Sequence, residues 1–421
     1  MPPNEEFLDK ETLDKISGAE GTEILVGIPS FNNARTIGHV VRSVQAGLIK
    51  YFPRRRAIIV NSDGGSSDGT REVVATTTYG DPRALLISHE ALEPFIVATP
   101  YSGQPGKGSA VRTILGISER VGAKACVLVD SDLRSITPEW VELLVKPVLE
   151  GPYDYVAPMY KRHKFDGTIT NSIVYPMTSA LYGKKVRQPI GGDFGFSGRL
   201  ASFLLAKEVW NTEVARFGID IWMTTTAIAN DFKVCQSFLG AKIHDPKDPA
   251  GDLSSMLYQV VRALFDLMEG YEQVWKSVEN SEEVPVFGFQ YEVGLEPVQV
   301  NVDRMIEKFQ LGVKELGPIW EEFVSPEVLY LLRELGSTSK PGFGFQDELW
   351  ARAVYDFAIK YHKNDMNREM LIKSLTPLYL GKVASFVLEA ADYDSSQVDL
   401  RLEGLCRAYA YEKKRLVKLW G

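Results

Sequence analysis

Only three cysteines, Cys126, Cys235 and Cys406, occur in 421 residues, and none sits in a CxxC or Cys/His ligand pattern. That excludes a disulfide framework and a cysteine-bound zinc, and sparse thiols suit a reduced, cytoplasmic protein. Positive charge is not in excess either. Lys and Arg number 47 against 55 Asp and Glu, a formal charge of −8. Bulk nucleic-acid binding needs basic stripes to neutralise phosphates, so no nucleic-acid partner is expected. One small basic pocket for a phosphorylated ligand stays compatible with this balance. The N-terminal MPPNEEFLDKETLDK lacks the apolar core of a secretory signal. Long apolar runs are scarce. The longest, 370–391, contains Lys373, Pro377 and Lys382, so it reads as a buried helix and no membrane span is expected.

What remains is ordinary globular composition, 45% hydrophobic and 24% charged, over a length that suits two or three domains. Residues 1–22 read as a polar lead-in. Short apolar runs at 24–28, 57–60, 85–88 and 125–129 read as strands. They alternate with helical spacing at 34–46, from about 70, and at 109–121. Such alternation predicts an α/β domain with a mostly parallel sheet over 23–253. Ligands of these sheets bind at the carboxyl ends of strands, which selects the loops after Ile28, Val60 and Val129. From 254 to 421 strand-like runs nearly vanish. Helical patterns at 256–268, 302–316, 326–335, 348–362, 369–389 and 400–419 predict a helical C-terminal domain. The stretch 336–345, GSTSKPGFGF, reads as its clearest loop.

Asp130-Ser131-Asp132 directly follows the strand ACVLV. Carboxylates two apart in extended chain point the same way and repel unless they share a cation. A hard divalent ion that also bridges a diphosphate supplies one. The competing reading is an acidic turn leading to a helix capped near Thr137. In QPGKGSAVRT, Gly106 and Gly108 flank Lys107 at a helix start, a setting that favours an anion. The GxxxxGK[ST] spacing is absent, and alone the turn reads as a surface loop with a solvated lysine. Asp63 and Asp68 lie in a Gly/Ser-rich loop. Asp68 suits a helix N-terminus, while Asp63 suits either a structural role or a nucleobase or ribose contact. Asp193 follows Gly191-Gly192, where backbone and ligand can meet closely. Asp220 opens an apolar helix, so capping competes with a site role there. His244 ends a strand-like run, and a neutral imidazole there could complete a Mn²⁺ shell with Asp132.

These pieces stand in the order of a known family. PSFNNARTI (29–37), SSDGT (66–70), PGKG (105–108), DSD (130–132), QPIGGD (188–193), GIDI (218–221) and His244 together span about half the chain. With them the chain resembles GT-A-fold glycosyltransferases, specifically the retaining mannosylglycerate synthase and glucosyl-3-phosphoglycerate synthase group. The helical tail, notably FGFQDELWARAVYDF (343–357), is similar to that of mannosylglycerate synthase. The resemblance implies a GT-A, Rossmann-like nucleotide-diphospho-sugar transferase domain. It also implies a Mg²⁺ or Mn²⁺ cofactor, a GDP-mannose, UDP-glucose or GDP-glucose donor, and a D-glycerate or 3-phosphoglycerate acceptor. Pro29 and Asp63 would face the nucleoside and Lys107 the nucleotide. Asp132 and His244 would bind the metal, and Asp130 the sugar or ribose. Gly191, Gly192 and Asp193 would hold the donor sugar, with Asp220 beside it. Asp193 and Asp220 would then stabilise cationic character at the sugar carbon. Arg162, Asp166 and Thr170 of YKRHKFDGTITN would hold the acceptor. The family often has Glu where Asp193 stands. The rival readings are an inverting family-2-type transferase, a sugar-1-phosphate nucleotidyltransferase and a non-catalytic sugar-nucleotide-binding protein. An apolar face on the helical tail suggests a homodimer.

Overall fold

A computed structural model of the chain describes residues 8–77, 94–101, 105–216, 218–243, 253–295 and 297–421. The strand expected at 85–88 and His244 lie outside them. The chain divides into two units. The first holds Met1–Lys161, Arg187–Asp245 and Val284–Gly294, and the second Arg162–Val186, Pro246–Glu283 and Leu295–Gly421. A single boundary near 253 is therefore crossed twice, by 162–186 and by 284–294.

The first unit is built on strands β1 (Ile24–Ser30), β2 (Ala57–Asp63), β3 (Phe95–Pro100), β4 (Ala125–Leu128) and β5 (Tyr155–Lys161). A two-residue pair, β6 (Lys184–Lys185) with β9 (Glu282–Glu283), belongs to the second unit. The main sheet is completed by β7 (Phe194–Ser197), β8 (Val234–Ala241) and β10 (Val286–Phe287), in the order β10-β8-β5-β7-β4-β1-β2-β3. Every pairing is parallel except those of β7 with β4 and β5. The sequence ILVGIPS of β1 is buried at all seven positions. That is what a strand covered on both faces requires. On one face Ile24, Val26 and Ile28 join Val40, Val41, Val44, Trp140 and Val141 in the core. The parallel strands all deliver their following loops to one edge. Because β7 runs the other way, its beginning, and with it Asp193, arrives at that same edge.

The second unit is helical, as expected from the tail. Its helices include Ser254–Gly270, Val302–Trp320, Pro326–Gly336, Asp347–Lys363 and Ser395–Trp420. The helix expected over 369–389 is two, Arg368–Ser374 and Thr376–Glu389. Pro377 explains the break, since it has no N–H to give and fits only a helix's first turn. This stretch is apolar enough for a membrane span by composition, yet 72% of its most apolar window is buried in the protein. Residues 162–186 join this unit through buried hydrogen bonds. Trp350 Nε1 donates to Ser172 O at 2.8 Å, and the Thr168 and Tyr379 hydroxyls meet at 2.6 Å.

Lys413 is a buried cation in this unit that donates to two carbonyls, Ala180 O at 3.0 Å and Val278 O at 2.5 Å. Burial pushes its pKa down to about 8. The unfolded chain then holds this proton more tightly than the folded one between pH 8 and the ordinary lysine range. Stability therefore rises with pH in that window. From pH 7 to 9 the gain is about 1.4 kcal/mol. Urea unfolding of wild type against Lys413→Met at both pH values reads it. Parallel changes in the two proteins would show that Lys413 is not the source.

Candidate active site

The carboxyl edge of the sheet gathers five charged side chains. Asp130 stands just beyond β4, Lys107 begins the helix Lys107–Val121, Asp193 precedes β7, Asp220 lies in the first turn of Ile219–Ala229, and Lys242 follows β8. Lys107 Nζ donates to Asp130 Oδ1 at 2.8 Å and to Asp220 Oδ2 at 3.2 Å. Lys242 Nζ donates to Asp130 Oδ2 at 2.7 Å, Asp193 Oδ2 at 2.9 Å and Gly191 O at 2.7 Å. Asp130 is therefore held at both oxygens. Asp193 is wholly buried. Its Oδ1 accepts from the Asp130 N–H at 2.8 Å, and its Oδ2 accepts from Lys242 and the Tyr160 hydroxyl.

The three carboxylates do not titrate alike. Burial works to raise the pKa of Asp130, but the charges of Lys107 and Lys242 outweigh it and hold that carboxyl far below its usual range. Burial wins at Asp193 and raises its pKa against Lys242, with the Asp130 charge adding to the rise. Asp220 is also raised, by burial and Asp130 against Lys107. Burial alone would lower the Lys107 pKa, but Asp130 and Asp220 overcome it, so this lysine stays charged.

The structure gives the residues singled out in the sequence these surroundings. Asp193 is buried, both of its oxygens accept hydrogen bonds inside the protein, and it supports Asp130. Lys107 does not stand solvated at a helix start but reaches inward to two carboxylates. The flanking Gly108 serves close packing. A Cβ there would lie 2.0 Å from Val214 O, and its N–H donates to Arg216 O at 3.0 Å. Pro29 is buried within β1, in register with Ser62. Asp63 is buried too. It accepts from the Ser30 and Ser66 hydroxyls at 2.9 and 2.6 Å and from the Gly65 and Ser66 N–H groups at 3.0 and 2.9 Å, so it caps its own loop. Asp68 takes the expected structural part, accepting from Thr70 N at 3.1 Å and Ala34 N at 3.0 Å.

Asp132, in contrast, is exposed. The turn that presents it is latched from below. Thr36 Oγ1 donates to Ser131 O at 2.7 Å, and Ser131 Oγ donates to Asn33 Oδ1 at 2.8 Å. This explains the PSFNNARTI segment, which positions the acidic turn. Gly191 and Gly192 line the same edge. Gly192 has φ +93°, and a Cβ on it would lie 2.0 Å from Asp130 Oδ2. No group of three or more His, Cys, Asp and Glu side chains arranged to hold a metal occurs among the described residues. Asp132 by itself suits an ion that takes its remaining ligands from phosphate and water, as Mg²⁺ does.

Arg162, Asp166 and Thr170 belong to the second unit. Arg162 and Asp166 lie 3.6 Å apart, and Thr170 opens a π-helical turn, Thr170–Val174. Lys164 ties their loop down through the Ala391 and Tyr393 carbonyls at 2.5 and 3.0 Å. Sequence reasoning missed Lys242 and Tyr160. A lysine directly after the apolar run VCQSFLGA was the available signal, but the segment was read only for its histidine.

The sheet is mostly parallel, with a lysine-bound carboxylate cluster and an exposed aspartate at its carboxyl edge. Residues 25–210 match the family Glycosyl transferase family 2. With a domain of that family, the chain is a glycosyltransferase. It is 25% identical over 277 residues to glucosyl-3-phosphoglycerate synthase of Petrotoga mobilis (strain DSM 10674 / SJ95), covering 63% of this chain and 79% of that one. Among solved structures it is similar to glucosyl-3-phosphoglycerate synthase from Mycobacterium tuberculosis. The complex with Mn²⁺, UDP and phosphoglyceric acid has a TM-score of 0.45 at 22% identity, over 61% of this chain and 81% of that one. The complex with Mg²⁺ and UDP gives 0.44 at 20%, over 63% and 85%.

Proposed function

We propose that the chain transfers glucose from a nucleoside-diphosphate donor to 3-phosphoglycerate with retention of configuration, using Mg²⁺ or Mn²⁺. The observation that carries this is the charge balance at the carboxyl edge. Asp130, Asp193 and Asp220 against Lys107 and Lys242 leave one net negative charge, three minus two, and exposed Asp132 makes it two. A diphosphate would be repelled there without a divalent ion. Asp132 and His244 are the residues that would hold it. When bound, such an ion neutralises charge developing on the leaving diphosphate.

The protein's own residues do the remaining work. Asp130 and Asp220, the two carboxylates of the cluster that keep some exposure, face the donor sugar. Lys107 fixes both. Arg162, Asp166 and Thr170 take the acceptor, the guanidinium pairing with its carboxylate or phosphate. The likeness to the Petrotoga mobilis synthase supports glucose and 3-phosphoglycerate over mannose and glycerate. Three separate, buried free cysteines accord with a cytoplasmic setting.

A second reading has one observation in its favour. Burial raises the Asp220 pKa, which suits a general base in an inverting transfer. Release of nucleoside diphosphate, followed across UDP-glucose, GDP-glucose and GDP-mannose with glycerate and 3-phosphoglycerate, with and without metal, tests both. The expected result is metal-dependent release that needs 3-phosphoglycerate, and an α-linked product by NMR. A β-linked product would transfer the role to Asp220 as base. Donor binding without release under any condition would leave a non-catalytic binding protein.

A further inference from the structure

We infer that Lys242 is a positioning residue for sugar transfer, acting through Asp130; this rests on the donor-site reading above. Lys242 cannot itself meet a ligand. Its side chain is 4% exposed. The ammonium has three protons, and three acceptors surround it: Asp130 Oδ2, Asp193 Oδ2 and Gly191 O. The Tyr160 ring lies 5.2 Å from the same nitrogen, and its hydroxyl donates to Asp193.

These contacts aim one group. Asp130 is the member of this set that keeps an open side, 23% exposed. Lys242 holds one of its oxygens, and Lys107 the other. Asp193 holds its backbone N–H at 2.8 Å. Gly191, whose carbonyl Lys242 also holds, begins the turn whose next residue, Gly192, packs against the Asp130 carboxylate. Lys242 therefore joins the end of β8, the turn before β7 and the carboxylate after β4 at one atom. Without it, Asp193 would lose its ammonium partner beside the Asp130 charge, and of the two lysines only Lys107 would still hold Asp130, at one oxygen.

A lysine that only balanced buried charge would make the same contacts, so the test must separate charge from aim. Lys242→Met is expected to lower kcat about 100-fold, with the donor KM changed less than about threefold, because misplacing a group by about 1 Å has that scale of effect. Its Tm should also fall. Adding Asp193→Asn removes the unbalanced charge, so the double variant should regain Tm while kcat stays about 100-fold down. If the double variant regains the turnover of Asp193→Asn alone, Lys242 only balances charge and the inference is overturned. It is equally overturned if Lys242→Met turns over at the wild-type rate. Should the single variant fail to fold, the double variant decides. Wild type is assayed alongside. A wild type that releases no nucleoside diphosphate with any donor and acceptor overturns the proposed function, and this inference with it. An active wild type with an active variant overturns the inference alone.

Discussion

Gly192→Ala is expected to abolish transfer, with kcat reduced by about 100-fold or more and stability lowered by about 1–3 kcal/mol. Two independent causes meet at this residue. Its φ of +93° is a conformation that L side chains rarely adopt, and the added Cβ would stand 2.0 Å from Asp130 Oδ2. Neither can relax cheaply. Asp130 is tied to two lysines, and the turn is tied to Lys242 through the Gly191 carbonyl. Gly122→Ala is the control. That glycine has φ +75° with nothing within 4 Å of the new Cβ, so it carries the backbone strain without the clash. It should lose some stability and keep its turnover. Equal loss of activity in both variants would mean that strain alone, and not the displaced carboxylate, stops the reaction.

Asp132→Ala is expected to remove metal-dependent turnover, by about a thousandfold, if the ion supplies several kcal/mol at the transition state. Thermal unfolding in metal-free buffer should not change, because Asp132 is exposed and its turn is held by Thr36, Asn33 and Ser131. Asp130→Ala should behave differently. It strands Lys107 and Lys242 without a shared partner, at a cost of about 3–5 kcal/mol, so fold and activity fall together. Kinetics with Mn²⁺ and Mg²⁺, alongside melting curves, separate the two aspartates. Metal-dependent turnover within a few-fold of wild type in Asp132→Ala would remove it from the metal site.

Much of this was legible in the sequence, and the parts that were not share a cause. The runs at 24–28, 57–60 and 125–129 are buried strands of one sheet because apolar runs of that length with punctuated ends have few other uses. The helical tail followed from 3.6-residue spacing, and its one misread element, at 369–389, turned on a proline that was in plain view. The residues 162–186 could not be assigned from spacing. What draws them into the second unit is a set of long-range hydrogen bonds to Trp350 and Tyr379.

Within the acidic motif, sequence by itself determined that Asp130 and Asp132 follow a buried strand, because strand period and hydrophobicity are local properties. Only the tertiary structure decided how different their surroundings are. Asp130 is closed by lysines 23 residues before it and 112 after it, while Asp132 is left open. It also decided that Asp193 is internal. A strand's direction in a sheet is set by its neighbours, and β7, running against them, turns the residue before it into the edge where Lys242 and Tyr160 enclose it. Burial and partner distance are properties of the packed whole, and no spacing along the chain encodes them.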